Sequence, residues 1–154
     1  MDSITHIALG AIVGEAIAGK TLGKRAMFIG AIAQSIPDID FLAAFWLEPA
    51  DNLLAHRGFT HSFLFAVLIT AALAFIALRT HPAHKFSYAS WSLFLGVEIF
   101  IHLLLDACNA YGVGWFEPFS HQRISFDILF VADPFYSLWL GIALVVLMSL
   151  DSKS

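Results

Sequence analysis

The run SFLFAVLITAALAFIAL, residues 62–78, carries no charged side chain. An α-helix needs about 20 apolar residues to cross roughly 30 Å of hydrocarbon, so a run of this length and polarity reads as a membrane span. Working outward, residues 134–150 (PFYSLWLGIALVVLMSL) are also free of charge. Residues 86–105 (FSYASWSLFLGVEIFIHLLL) carry one acid, Glu98, and one imidazole, His102. The shortest runs call for thin lipid or a sheltered place within a bundle. Composition agrees. Of 154 residues, 59% are hydrophobic and 13% are charged, about half the roughly 25% usual in soluble domains. So few charges make too thin a polar skin for a water-soluble globule. The expected fold is all-α, an integral membrane bundle forming one domain over residues 1–154. A net charge of −4 offers no basic footprint for nucleic acid. The single cysteine, Cys108, excludes an internal disulfide and a thiolate-rich metal site.

The first forty residues hold two shorter apolar runs, 4–19 and 26–36, separated by Lys20, Lys24 and Arg25. Pro37 ends the second, because proline disfavours helix in the residue before it. Gly10, Gly14, Gly30 and Ala31 permit close helix approach, so the pair reads as a helical hairpin. With the three spans it makes about five helices. A cleaved signal peptide is the competing reading. Against it, the basic residues follow the first apolar run and Asp2 sits at the start. Loops are expected at 48–57, 80–85 and 109–133, the last long enough to suggest a functional role.

The positive-inside rule sorts the polar residues. If helices alternate in direction, Lys20, Lys24, Arg25, Arg79, Lys85 and Lys153 share one side, and Arg57 and Arg123 lie on the other. This places the basic side in the cytoplasm. The same alternation carries His6, Asp38, Asp40, His56, His61, His102, Asp106, Asp127 and Asp133 to the non-cytoplasmic face. Lys and Arg alone set the direction, so the convergence is partly independent support. His81 and His84 fall on the cytoplasmic side and read as loop residues.

His102 and Asp106 are four positions apart, on one helical face. They can share a metal, or each can hold one of two neighbouring metals. A helix-end hydrogen bond is the competing reading, but ionisable groups inside a span are costly and usually functional. Glu98, one turn earlier, can orient His102 by accepting from its second ring nitrogen. In HRGFTHS, residues 56–62, His56 and His61 can fold towards one centre at a loop–helix junction. Thr60 can cap the helix that follows, and the Arg57 fork suits a phosphate; a headgroup contact or an ion pair competes for Arg57. PDID, residues 37–40, offers Asp38 and Asp40, with a turn role competing for one of them. His6 is weak alone and gains from the convergence. Asp133, before Pro134, is a helix N-cap candidate and also a site candidate. Trp46, Tyr111, Trp115 and Tyr136 lie on the same side and read as an interfacial belt. Imidazole and carboxylate ligands without thiolate suit Zn, Mn or Fe. The number of ligands points to two divalent ions, an arrangement suited to phosphoester hydrolysis.

THIALG (5–10), PDID (37–40), HRGFTHS (56–62), HLLLDACNAYG (102–112), PFS (118–120) and ADP (132–134) together resemble a bacterial family of small inner-membrane proteins. That family is described as membrane-bound metal-dependent hydrolases and has a LexA-regulated, DNA-damage-inducible member in enteric bacteria. The resemblance spans nearly the whole chain in order, and HRGxTHS followed by HxxxD is its specific part. It implies a multi-pass inner-membrane hydrolase. Carried over by motif, it implies the ligands His6, Asp38 or Asp40, His56, His61, His102 and Asp106. The order His, Asp, His, His, Asp is also similar, more loosely, to zinc-dependent phospholipase C-type enzymes, whose N-terminal tryptophan ligand has no match here. That likeness implies a lipid phosphoester substrate at the outer face.

The expected activity is therefore metal-dependent hydrolysis of a phospholipid or other lipid phosphate. Zn is the first choice of ion and two ions are expected. Arg57 would clamp phosphate, and Asp40 or Asp133 would act as general base. The alternative is a non-catalytic metal-binding membrane protein, a transporter or sensor; transport should place ligands near the bilayer midplane. A scaffold with a purely structural polar cluster would bind no metal.

Overall fold

The computed structural model describes residues 1–48, 56–81 and 86–150. His84, Lys85 and Lys153 lie outside the described residues. Those described form α1 (Ser3–Leu22), α2 (Arg25–Ser35), a 3-10 segment at Pro37–Phe45, a second at Phe59–His61, then α3 (Phe63–Thr80), α4 (Tyr88–Ala107) and α5 (Pro134–Ser149). The architecture is an all-α membrane bundle.

Four of the five α-helices start where the sequence supplies an acceptor for the free first-turn amides, and α2, behind Lys24, has no side-chain cap. Asp2 accepts from Thr5 N, Ser62 from Phe65 N, Ser87 from Ser90 N and Asp133 from Tyr136 N. The cap of α3 is thus Ser62, not Thr60, whose hydroxyl donates to Asp40. Pro37 has no N–H to continue α2. The chain leaves that helix with a 52° bend into the first 3-10 segment.

The expected hairpin forms from α1 and α2, and glycine sets its spacing. A Cβ on Gly10 would lie 2.5 Å from Gly30 O, and one on Gly14 would lie 2.3 Å from Ala26 O. Ala31 takes no part in this contact; it lines outward-facing grooves instead. Away from the site, the core is filled by Ala18, Leu22, Ala26, Ala33, Ala74, Trp91, Phe94 and Leu95.

α3 and α4 are long and apolar enough to cross a membrane, and the bent pair Arg25–Ser35 with Pro37–Phe45 is a third candidate span. α5, at 16 residues, is shorter than a full crossing. Val67, Leu68, Phe75 and Ile76 on α3, and Phe135, Leu138, Trp139 and Val145 on α5, are all exposed. Such a continuous apolar surface suits lipid, not water.

The segment between α4 and α5 braces the site end. Val113 and Ile124 form an antiparallel bridge. Phe126 N donates to Ala107 O, and Ile128 N and Leu129 N donate to Cys108 O, satisfying carbonyls at the end of α4. Gly114 N donates to Arg57 O and Phe63 N to Trp115 O, so the same segment holds HRGFTHS against the bundle.

Candidate metal centre

His102 and Asp106, one turn apart, face inward at the end of α4 and are fully buried. His61, also fully buried, closes the second 3-10 segment. Asp38 arrives just after the bend at Pro37. These four side chains offer donor atoms within 4.8 Å of one another. His61 Nε2 lies 3.1 Å from His102 Nε2, 3.6 Å from Asp38 Oδ1 and 3.2 Å from Asp106 Oδ2. His102 Nε2 lies 3.5 Å from Asp38 Oδ1 and 3.6 Å from Asp106 Oδ2. Donors at the corners of a tetrahedron with arms of about 2.0–2.1 Å would stand roughly 3.3 Å apart.

The hydrogen-bond partners fix which ring nitrogens face inward. His102 Nδ1 meets Gln34 O at 2.5 Å, and a carbonyl can only accept. His61 Nδ1 lies 3.3 Å from Asp40 Oδ2, again an acceptor. It also lies 3.1 Å from Thr60 Oγ1, whose proton goes to Asp40. Both protons therefore sit on Nδ1 in the neutral rings. The two Nε2 lone pairs then confront each other and the carboxylates. Asp106 Oδ2 is buried with no hydrogen-bond donor. A pocket walled by acceptors calls for a cation, and this donor set fits a divalent metal. Glu98 does not supply the expected support for His102; the Gln34 carbonyl does.

The remaining predicted residues sit around this group. His6 stacks on His102 with ring centroids 3.8 Å apart, and its Nε2 lies 3.2 Å from Asp106 Oδ1. The Met1 amine contacts that same oxygen. Asp40 is committed elsewhere. It accepts from Arg57 N at 2.7 Å and Thr60 Oγ1 at 3.1 Å, and it pairs with His56 Nδ1 at 3.1 Å as well as with His61. His56 thus meets the centre through Asp40 and edge-on against the His61 ring, with centroids 6.2 Å apart. Asp133 caps α5 and is not one of the four converging residues; nor is exposed Asp127. His81 rests against Trp91, far along α4 from His102. His121 is exposed and pairs with Glu117.

Arg57 departs from the expected phosphate clamp. It has φ 61°, which turns the side chain inward, and it is buried. Its Nε lies 3.3 Å from Asp106 Oδ2, Nη1 donates to Asn109 Oδ1 at 2.7 Å and Nη2 to Met1 O at 3.4 Å. Burial lowers its pKa, with Asp38 and Asp40 opposing; a guanidinium stays protonated regardless. Arg57 is thus an ion-pair brace for Asp106, with Nη1 and Nη2 engaged and Nε beside the carboxylate without a hydrogen bond. Gln34 and Asn109 are the residues that sequence reasoning passed over. Their signal was a lone amide beside a ligand motif, Gln34 before PDID and Asn109 after HLLLD.

Among the four, Asp38 alone is partly open, with its side chain 17% exposed. Its Oδ2 lies 3.5 Å from Ser3 Oγ. Its neighbour in sequence, Ile39, joins Ile7, Phe28, Ile32, Ile36 and Phe41 in lining an apolar groove of about 480 Å³.

The family model described as YdjM inner membrane protein matches residues 1–153, so the chain belongs to that family. It is 36% identical over 122 residues to the inner membrane protein YbcI of Escherichia coli (strain K12), covering 78% of this chain and 69% of that one. It is 29% identical over 143 residues to the uncharacterized protein YfhP of Bacillus subtilis (strain 168), covering 88% of this chain and 42% of that one. No solved structure matches it.

Proposed function

We propose that this member of the YdjM inner membrane protein family is a metal-dependent hydrolase of a phosphoester in a lipid phosphate, working at the non-cytoplasmic face. The observation that carries this reading is the confrontation of His61 Nε2 and His102 Nε2 at 3.1 Å between two carboxylates. Asp38, His61, His102 and Asp106 would hold the ion, and a set of two imidazoles and two carboxylates suits Zn. Among the described residues one such group converges, and Asp106 Oδ1 beside His6 Nε2 already carries the Met1 amine. When bound, such an ion supplies Lewis-acid activation of water and of a phosphoryl oxygen.

The chain's own residues set the rest. His61, His102 and Asp106 are sealed from solvent, so a substrate approaches past Asp38. Asp38 Oδ2 faces that opening and is placed to take a proton there. Arg57 and Asp40 keep Asp106 and His61 in place. The apolar groove that includes Ile39, next to Asp38 in sequence, supports a lipid as substrate, its chain lying along α1 and α2. Position also favours hydrolysis over transport: the donors gather at the helix ends, whereas a transport site belongs near the midplane.

The test uses detergent-purified full-length protein, wild type beside His61→Ala and His102→Ala. Elemental analysis and release of phosphate or headgroup from phospholipid mixed micelles are measured together. The expected result is stoichiometric metal and turnover in wild type, with both lost in folded variants. A wild type without metal, or full turnover in both variants, overturns the proposal. Bound metal without turnover, together with metal uptake into proteoliposomes, replaces it with a transporter.

A further inference from the structure

Gln34 is a fully buried amide inside the apolar helix α2, and it touches two of the three inner imidazoles. Its backbone carbonyl takes the Nδ1 proton of His102 at 2.5 Å. Its side-chain Oε1 lies 3.4 Å from His6 Nδ1. Its Nε2 is buried without a hydrogen-bond partner, as are both oxygens of Glu98, and Gln34 is the polar side chain that faces Glu98. Glycine makes the room for both. A Cβ on Gly10 would lie 2.6 Å from Gln34 Cγ, and one on Gly30 would lie 2.7 Å from Glu98 Oε1. Buried polar groups are costly unless they find partners, so two adjacent ones, one a donor and one an acceptor, belong together.

We propose that Gln34 is a positioning residue for the metal centre, orienting His102 through its carbonyl and His6 through its side chain, with Glu98 holding the amide so that Oε1 faces His6. The inference rests on the metal reading above. Its consequence is a role for His6. A neutral imidazole carries one proton. With that proton on Nδ1, directed at Gln34, the Nε2 lone pair faces Asp106 Oδ1 and the Met1 amine on it, and His6, stacked flat on His102, leaves the carboxylate its full charge for the four converging donors. Without the Gln34 acceptor, His6 can carry its proton on Nε2 and donate it to Asp106 Oδ1, 3.2 Å away. That bond draws on the Asp106 carboxylate and weakens its hold on the metal.

The experiment loads full-length protein in detergent with Co(II) and reads affinity and visible absorption. Gln34→Leu removes the side-chain acceptor; Gln34→Glu keeps one. Loss of an outer partner that orients a ligand typically weakens metal affinity by about 10–100-fold, and that loss is expected for Gln34→Leu. Its absorption should also shift as Asp106 donates less to the ion, and Gln34→Glu, which keeps the acceptor, should restore both readouts. If Gln34→Leu does not fold, Glu98 decides. Glu98→Leu leaves the amide unheld and should move both readouts part of the way, while Glu98→Gln keeps wild-type values. Folded Gln34→Leu with wild-type affinity and spectrum, or Glu98→Leu indistinguishable from wild type, overturns the inference alone. A wild type that binds no Co(II) removes the metal reading and this inference with it.

Discussion

Replacing Asp40 separates a carboxylate that orients a ligand from one that does chemistry. Asp40 Oδ2 serves Arg57 N, Thr60 Oγ1 and His61 Nδ1, while Oδ1 serves His56. In Asp40→Asn the remaining oxygen can still serve the first three, and exposed His56 can adapt to the new NH2. What is lost is the charge, and with it part of the basicity of His61. Metal affinity should fall about tenfold, the low end of the 10–100-fold range for such partners. Asp40→Ala goes further. It orphans the N–H of buried Arg57, an unsatisfied donor that costs about 1–3 kcal/mol, and leaves His61 Nδ1–H to Thr60 Oγ1 alone. The alanine variant should therefore lose about 1–3 kcal/mol of stability and reach the upper end of the affinity loss. Competition with a chromophoric chelator and thermal unfolding in one detergent measure both quantities. Wild-type metal affinity in both variants would refute the reasoning. Intact affinity with abolished turnover would restore Asp40 as the general base.

Arg57→Lys should lower stability by about 1–3 kcal/mol, because an ammonium cannot cover Asp106, Asn109 and the Met1 carbonyl together. A lower unfolding midpoint with less metal retained is the expected result. An unchanged midpoint with weakened binding of inorganic phosphate would instead favour a phosphate clamp. Orientation can be read in a Cys108→Ser background with Ser3→Cys or Lys20→Cys. A membrane-impermeant maleimide should label position 3 in intact spheroplasts and position 20 only after lysis. The reverse pattern would put the site in the cytoplasm.

Much of this fold is legible in sequence, for reasons that lie in local chemistry. Charge-free runs announce α3 and α5, and Asp133 falls where a cap must, whereas the cap expected at Thr60 is Ser62. Gly10, Gly14 and Gly30 announce a close hairpin because no other residue leaves room for a neighbouring backbone. The convergence of Asp38, His61, His102 and Asp106 is foreshadowed by counting helices and basic residues. The division of labour within PDID is not legible, because it depends on a 52° bend that sets which carboxylate turns inward. The direction of Arg57 is hidden for the same kind of reason, a left-handed φ in a non-glycine residue. Gln34 escapes because the role of a lone amide in an apolar helix is defined by what packs against it, here His6 from α1 and His102 from α4.

The four converging side chains come from three places in the chain: beyond the bend after α2, ahead of α3, and the end of α4. None of the three can assemble the pocket without the others, and α1 supplies the fourth wall through His6. Ion capture would therefore report that insertion and helix packing are complete, since a half-assembled chain offers at most the two adjacent donors of α4. The ion would act as a late clasp that selects correctly assembled copies. α5, which contributes no donor, stands outside that clasp, so chelation should loosen the first four helices from one another before it affects how the fifth is held.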